Sequence, residues 1–349
     1  MKINTGELTH LIRQLDMNES PMGYKMGEFA ANHMAGIKSG LRVVLDVAHL
    51  GHITLGPSMM TSVCRTMNKM GLPLWTTAMP KKKRQPKPSD LTQFIIEKSH
   101  LIHDTHNNNA TQDKVVYFPS CINQTMGQSK QGGKVHDLVD EVIQLMAKAG
   151  YEVIFPDGME KMCCGQIWES KGMLDIADRK SAELEAALWK ASENGKYPVL
   201  CAQSPCLHRM RKVMHKMKLY EPAEFIMTFL KDRLDFHPTD KPIALHLTCS
   251  TRQMGVDKDM IALAKLCSAN VFLPEGVGCC GFAGDRGFTF PELNKYGLRK
   301  LRPQIEANHI EVGYSNSRTC EIGLETNTGI PYMSIVYLVN ECTTPKSES

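Results

Sequence analysis

The chain has 349 residues, enough for two or three domains, and its 42% hydrophobic and 22% charged residues are ordinary for a globular protein. A formal charge of +4 and an aromatic content of 7% argue against a nucleic-acid-binding surface, so we expect no nucleic-acid partner. No run of 18 apolar residues occurs, which excludes a membrane-spanning helix, and the first residues lack a secretory signal pattern. We therefore expect a cytoplasmic protein whose twelve cysteines bind metal or carry out redox chemistry.

The first part of the chain, residues 1–80, is predicted to be a helical segment. One face of a helix is indicated by the spacing of Met60, Val63, Cys64 and Met67. Residues 81–112 are predicted to be a solvated linker, because Pro80–Pro88 combines prolines with a run of like charge.

From residue 113 onward, short apolar strands alternate with amphipathic helices. The predicted order is strand 114–119, helix 135–149, strand 152–156, helix 173–192 and strand 197–202. Such an order implies an open parallel sheet with helices on both faces.

The same order recurs in the last third of the chain. Strands are predicted at 242–247, 270–274 and 309–315, with helices around 260–267 and 293–307, the second interrupted at Pro303. The predicted fold class is therefore α/β, with two pseudo-repeated open parallel-sheet units. We call residues 113–236 the first unit and residues 237–345 the second unit.

The repeat is sharpest at the cysteines, which occur in two matching frames. Cys121–Gly127 and Cys249–Gly255 place Cys, Met and Gly at equal offsets. A Cys-Cys-Gly tripeptide follows in each unit, and one more cysteine closes the frame. The first set is Cys121, Cys163, Cys164 and Cys206, and the second set is Cys249, Cys279, Cys280 and Cys320. Two matched sets of four argue against buried free thiols or vicinal disulfides.

Each cysteine group follows a predicted strand, at the carboxyl end where open parallel sheets bind ligands. Four thiolates per unit suit a soft metal centre, either a zinc ion or an iron–sulfur cluster. Adjacent cysteines point apart in a regular backbone, so both reach one centre only if the chain curls around it, which the following glycine allows. This favours an extended cluster over a single ion. We predict all eight cysteines as ligands, with an iron–sulfur cluster in at least one unit and zinc in the other as the alternative.

Four cysteines lie outside the two frames. Cys64 and Cys267 are on apolar helix faces and are predicted to pack in the core. Cys342 lies in a polar tail without a visible partner. Cys201 stays open as a ligand, although its counterpart in the second unit is Ser315, which argues against that role.

Two histidines, His208 and His246, flank the cysteine sets. Each could hydrogen-bond a sulfur and tune a bound centre, or serve only in the core or at the surface.

These motifs resemble the cysteine-rich CCG domain family over about residues 113–340. The family includes the iron–sulfur subunit of glycolate oxidase, the B subunit of heterodisulfide reductase and the C-terminal part of FAD-linked D-lactate dehydrogenases. Cys279–Phe288 and Tyr314–Leu324 are most similar to the D-lactate dehydrogenase branch. The resemblance implies that the eight cysteines hold clusters of the [4Fe-4S] type.

Ile3–Leu8 is similar to the segment that follows a two-cluster ferredoxin domain in such dehydrogenases. The ferredoxin cysteine runs and the flavin-binding half do not occur in this sequence, so the resemblance implies that FAD is carried by a partner or another segment. The heterodisulfide reductase branch ends each unit with C-x-x-C and uses the extra cysteine on a noncubane cluster. The matching positions here are Gln203 and Ser317, which favours ligation by four cysteines.

The expected function is therefore electron relay. A flavin elsewhere oxidises a 2-hydroxy acid, D-lactate by resemblance, and electrons pass through this chain to a quinone or cytochrome. The expected partners are a flavin-containing dehydrogenase half or subunit and that acceptor, with peripheral contact at the inner membrane face. Two alternatives stay open: a thiol–disulfide enzyme like heterodisulfide reductase, and a zinc-stapled scaffold of a respiratory complex. No catalytic residue is predicted.

Overall fold

Two parallel β-sheets of four strands each follow three helices in the computed structural model, which describes residues 5–68, 76, 78–80, 82–83, 113–128, 133 and 136–346. The predicted fold class is confirmed. The helical segment consists of α1 (Thr5–Asn18), α2 (Pro21–Asn32) and α3 (Met34–Asn68). A left-handed residue, Gly56 with φ 74°, kinks α3.

The first sheet has the order β2-β1-β3-β4, and its strands are all parallel. They are β1 (Asp113–Phe118), β2 (Tyr151–Ile154), β3 (Val199–Cys201) and β4 (Leu219–Tyr220). The helices of this unit are α4 (Ser120–Thr125), α5 (Leu138–Lys148), α6 (Gln166–Glu169), α7 (Leu174–Ala191), α8 (Ser204–Val213) and α9 (Pro222–Phe225), and α9 continues as a π-helical turn, Ile226–Leu230. A short strand, β5 (Leu234–Phe236), ends the unit.

The second sheet repeats this order as β7-β6-β8-β9. Its strands are β6 (Ile243–Leu245), β7 (Val271–Phe272), β8 (Val312–Ser315) and β9 (Tyr332–Ser334). Its helices are α10 (Cys249–Gln253), α11 (Asp257–Cys267), α12 (Pro291–Gly297), α13 (Leu301–Ala307), α14 (Arg318–Thr328) and α15 (Ile335–Glu341). The last strand, β10 (Thr343–Pro345), pairs antiparallel with β5 of the first unit.

One apolar core joins the two units. Leu145 and Leu200 of the first unit lie in it with Leu245, Met260 and Met333 of the second, all almost fully buried. Within it α15 packs on α5, and α11 packs on α9. Each unit covers an apolar face of the other, so the two units stabilise each other by burying apolar surface at their interface.

The N-terminal helices pack on the outer face of the first unit. Ala31 and Met34 share a core there with Trp168 and Ile176. Trp168 Nε1 also donates a hydrogen bond to Gly27 O at 3.0 Å. On the predicted face of α3, Met60 and Cys64 are buried, whereas Val63 and Met67 are exposed.

Most of the exposed large apolar side chains lie on these three helices. Met22, Leu15 and Val47 are among them, with 65–77% of their surface accessible. None of the helices among the described residues combines the length and apolar character needed to cross a membrane.

One predicted helix and the start of the predicted linker differ from the structure. The helix predicted at 293–307 is two helices, and the break falls at residues 298–300 rather than at Pro303. Pro303 is the third residue of α13, where its missing N–H removes no intrahelical hydrogen bond.

The other difference lies at the start of the predicted linker, where Lys83 is buried and its backbone N donates to Thr125 O at 2.9 Å. Lys82 also forms an antiparallel bridge with Met126. Both residues are held against the first unit, but only Lys83 is buried, since the Lys82 side chain stays exposed; the rest of 81–112 lies outside the described residues.

Candidate metal centres

The first cysteine set is gathered at the carboxyl edge of the first sheet. Cys121 is in α4, directly after β1, and its Sγ lies 4.0 Å from Cys163 Sγ. Hydrogen bonds continue from Cys163 to Cys164 and from Cys164 to Cys206, in the first turn of α8. All four predicted side chains are therefore linked in one chain of sulfur contacts. The pKa of the Cys121 thiol is raised well above its ordinary value, first because it donates to Cys163 and then because it is buried.

The second set forms the corresponding chain at the edge of the second sheet. Cys279 Sγ accepts hydrogen bonds from the thiols of Cys249 and Cys280, and these two bonds lower its pKa. Cys280 Sγ lies 3.1 Å from Cys320 Sγ, which is in the first turn of α14. Exposure differs between the sets, since Cys163 and Cys164 are each 1% exposed whereas Cys249 and Cys279 are exposed.

The glycine of each Cys-Cys-Gly tripeptide has two physical roles. Gly165 and Gly281 have φ values of 87° and 72°, a left-handed conformation that turns the chain directly after the cysteine pair. Each also packs against the backbone of a following helix. A Cβ on Gly165 would overlap Ala177 O in α7, and one on Gly281 would lie 2.5 Å from Leu293 O in α12.

Side chains of the same two helices hold the cysteine loops. Ser181 Oγ donates to Cys164 O at 2.8 Å, and Asn294 Nδ2 donates to Cys280 O at 2.5 Å. Backbone N–H groups reach the sulfurs as well, with Gly281 N 3.3 Å from Cys279 Sγ. The sulfurs are thus positioned and polarised by the chain itself, which is how a protein tunes a bound cluster.

The repeated methionine of each frame packs against the opposite unit. Met126 of the first unit lies in the core that contains Cys280 and Phe282 of the second. Met254 of the second unit packs against the core that contains Cys163 and Cys164 of the first. Both cysteine sets therefore border the interface between the units, and the matched offsets have a reciprocal packing role.

A buried polar bridge crosses the same interface. Gln203 Nε2 donates to Ser317 Oγ at 3.2 Å, so the two positions that match each other in the repeat are in direct contact. Ser204 Oγ lies 2.8 Å from Thr248 Oγ1 and 2.9 Å from Ser250 Oγ, the residues on either side of Cys249. Short hydrogen-bonded links therefore run from the loop of Cys206 to the loop of Cys249.

Comparison with known families matches both units to one domain. Residues 115–211 and 243–325, slightly more than half of the chain, match the family described as CCG, cysteine-rich domain. The chain belongs to the cysteine-rich CCG domain family. The two sets of clustered cysteines are accordingly those of an iron–sulfur or other metal-binding redox module.

Other comparisons add little to this CCG assignment. No curated protein matches the sequence. Among solved structures, an aspartate racemase from Picrophilus torridus has 9% identity and a TM-score of 0.32, covering 68% of this chain and 96% of its own. A glutamate racemase from Aquifex pyrophilus has 12% identity and a TM-score of 0.30, covering 65% of this chain and 81% of its own. Similarity at this level supports no inference about function.

The donor chemistry of the two CCG sites fits an iron–sulfur cluster. Each unit presents four thiols, the ligand type that such clusters require. The sulfur contacts run from one cysteine to the next in each unit. Each CCG unit also holds a buried polar atom with no partner among the described residues, Ser120 Oγ beside Cys121 and His246 Nε2 near Cys279.

Of the two flanking histidines, His246 is buried and His208 is half-buried. The Nδ1 of His246 lies 3.0 Å from Ser315 Oγ, and burial lowers the pKa of His246 to about 4. A ring held neutral in this way carries one N–H, on either Nδ1 or Nε2.

The cysteines outside the frames have structural surroundings. Cys64 and Cys267 are buried, as expected. Cys342 is buried as well, against the expectation of a polar tail, because α15 turns it inward and its Sγ donates to Cys267 O at 3.3 Å. Cys201 Sγ lies 3.8 Å from Gln203 O rather than in the chain of sulfur contacts.

Sequence reasoning missed one residue at the first site. Lys38 of α3 is 4% exposed, and its Nζ donates to Gln124 Oε1 at 2.9 Å and to Met159 O at 3.2 Å. Lys38 is far from the cysteines in sequence, so the sequence does not predict this contact. The one local indication that Lys38 is unusual is its position in a long, mostly apolar helix.

Proposed function

We propose that this chain is the iron–sulfur electron-transfer module of an FAD-linked 2-hydroxy-acid dehydrogenase, with D-lactate as the substrate. The observation that carries the proposal is the pair of four-thiol sets at the interface between the two CCG units. Both sets adjoin loops that touch each other, an arrangement suited to passing electrons within one molecule. The similarity of Cys279–Phe288 and Tyr314–Leu324 to the D-lactate dehydrogenase branch supports the substrate.

The residues that would hold the clusters are Cys121, Cys163, Cys164 and Cys206 in the first unit and Cys249, Cys279, Cys280 and Cys320 in the second. When bound, a [4Fe-4S] cluster takes up and releases single electrons. Around it, Ser181 and Asn294 position the paired cysteines. Burial of the first set excludes water, and backbone N–H groups at the second set polarise the sulfurs.

The proposed partners are a flavin-containing dehydrogenase half or subunit, which delivers electrons, and a quinone or cytochrome, which accepts them. The exposed apolar side chains of α1–α3 form a surface on which a protein partner could pack. Lys38 of α3 contacts the segment that carries Cys121, so a partner on this surface would lie near the first cysteine set. We propose a cytoplasmic location with peripheral contact at the inner membrane face.

Iron, acid-labile sulfide and zinc measured per chain on anaerobically prepared protein test the proposal first. We expect iron and sulfide in near-equal amounts, and a colourless protein with zinc in both units would instead support the scaffold alternative. The protein alone with D-lactate and a dye should show no turnover. With the flavin half added, D-lactate but not L-lactate should reduce the clusters, as followed by electron paramagnetic resonance.

The thiol–disulfide alternative is less well supported by the interface. Gln203 and Ser317 take the positions of the extra cysteines in the heterodisulfide reductase branch, and they bond to each other. A fifth sulfur ligand at those positions is therefore not available. We expect that a disulfide substrate neither bleaches the clusters nor is reduced to thiols. Bleaching of the clusters or release of thiols would support the thiol–disulfide alternative.

A further inference from the structure

Lys38 is a buried cation placed at the first cysteine set by the N-terminal helices. Its two acceptors belong to the segments that carry the cysteines, since Gln124 is in the same short helix as Cys121 and Met159 lies four residues before Cys163. Both acceptors are neutral oxygens. A lysine ammonium has three donors, so these bonds leave one N–H unassigned.

Among the described residues, no carboxylate is in direct contact with the charge of Lys38. No ion pair among the described residues includes it, unlike the buried Arg209, which pairs with Glu169 at 3.1 Å. A buried charge is costly unless an opposite charge lies near it. Burial lowers the pKa of Lys38, and the sulfurs of Cys121 and Cys163, followed by the carboxylate of Glu160, act in the opposite direction. Those two sulfurs become anionic when they ligate a metal.

We infer that Lys38 is the counter-charge of the first metal centre and that it raises the reduction potential of the cluster bound there. The inference rests on the proposed function. Reduction adds one electron, supplied by the flavin partner, and one negative charge to the centre, and no bond is made or broken. A fixed positive charge in a site of low dielectric stabilises the more negative, reduced form.

The second cysteine set has no equivalent buried lysine among the described residues. Two arginines lie near it. Arg318 is buried two residues before Cys320, but it is paired with Glu321 at 2.7 Å, and Arg252 is exposed and donates to Gly278 O at 2.7 Å. Water screens an exposed charge far more than a buried one. The hydrogen bonds of Lys38 are to segments of the first set, so we expect its removal to change the first centre much more than the second.

The test uses anaerobic redox titration of the full chain, followed by electron paramagnetic resonance. Lys38→Gln keeps hydrogen bonding but removes the charge, whereas Lys38→Arg keeps the charge. Arg42→Gln is the matched control, since Arg42 is one turn along α3, half-buried, and donates to Gln124 O at 3.3 Å. A Cys280→Ser background removes the second centre, so that the signal reports the first.

We expect a lower midpoint potential in Lys38→Gln, a potential near wild type in Lys38→Arg and a smaller shift in Arg42→Gln. Loss of iron in Lys38→Gln with retention in Lys38→Arg also supports a counter-charge. An iron-loaded Lys38→Gln protein with the wild-type potential, or loss of iron in both lysine variants, overturns this inference alone. Wild-type protein without iron overturns the proposed function, and with it the inference.

Discussion

At the residue scale, two cysteines of the first unit show why proximity in sequence does not assign a ligand. Cys206 accepts a hydrogen bond from Cys164, whereas Cys201, five residues earlier, ends β3 with its Sγ facing Gln203 O. Successive residues of β3 point to opposite faces of the sheet, so Leu200 lies in the core between the units and Cys201 in the core under the N-terminal helices, whereas Cys206 follows in the first turn of α8. This geometry favours a core role for Cys201, and its exclusion from the ligand set stays a prediction.

We expect Cys206→Ser to lose the first centre, with iron per chain falling to roughly half, because a cluster needs all four thiolates. Cys201→Ser is the matched control and should retain full iron content. Iron and sulfide analysis of both purified variants gives the comparison. Equal iron loss in the two variants would contradict this ligand assignment.

Glu221 gives a second prediction at the same scale. It caps α9 by accepting a bond from Ala223 N at 2.8 Å, it accepts another from Asn316 Nδ2 of the second unit, and burial raises its pKa to about 8. The folded protein therefore retains this proton to a higher pH than the unfolded chain does. The stabilisation is complete below about pH 4.5 and is lost as the pH rises toward 8, by on the order of a few kcal/mol.

Thermal unfolding of anaerobic protein between pH 6 and pH 8.5 tests the role of Glu221. The wild-type melting temperature should fall over this range, and the fall should be smaller in Glu221→Gln, which stays neutral. Glu292→Gln, at an exposed position of α12, is the control and should follow wild type. A pH dependence that is the same in all three proteins would show that Glu221 is not the group involved.

At the element scale, the Cys-Cys-Gly tripeptide connects a strand to a helix, and its geometry requires glycine at the third position for two reasons. Gly165 must adopt φ 87° and must also allow α7 to approach, with Ala177 O and Ser181 Oγ directly in front of it. The sequence alone indicates the turn but not the helix contact. The contact comes from the packing of α7 on the sheet, which no local pattern encodes.

We expect Gly165→Ala to lower the melting temperature strongly and to reduce iron in the first centre, because the added Cβ overlaps backbone that cannot move alone. Gly255→Ala is the control, since Gly255 has φ 73° but open space around its Cβ position. It should cost only the left-handed strain, about 1 kcal/mol, and retain iron. Calorimetry and iron analysis compare the two variants, and equal effects would mean that strain alone, not the helix contact, matters.

At the scale of the whole molecule, the two cysteine sets differ in their access to solvent. The first is covered by the N-terminal helices and the core beneath them, whereas Cys249 and Cys279 are exposed. Exposure makes a cluster more open to oxygen and chelators, and it gives a partner direct access. Under the proposed electron-transfer function, we expect the second set to be the site where electrons leave the molecule.

We therefore expect the second centre to lose iron first. Cys164→Ser leaves only the second centre and Cys280→Ser only the first, so each rate is measured separately. On exposure to air and an iron chelator, iron should leave Cys164→Ser several-fold faster than Cys280→Ser, as followed by the chelate absorbance. Faster loss from Cys280→Ser would show that burial does not protect the first centre.

The sequence alone determined the repeated strands and helices, the parallel-sheet units and the two cysteine frames. These follow from local patterns. The spacing of apolar residues distinguishes a helix from a strand, and cysteines at matching offsets indicate a repeat. Even here the break near Pro303 was misplaced, because proline is tolerated in the first turn of a helix.

Only the tertiary structure decided how these parts meet. Met126 and Met254 pack into opposite units, Gln203 contacts Ser317, and Lys38 reaches the first cysteine set from 86 residues before Gln124. Such contacts depend on how sheets and helices bury their apolar faces together, a property of packing that has no period in the sequence. The cysteines therefore identify the chemistry, and the fold assigns each site its burial, charge and neighbours.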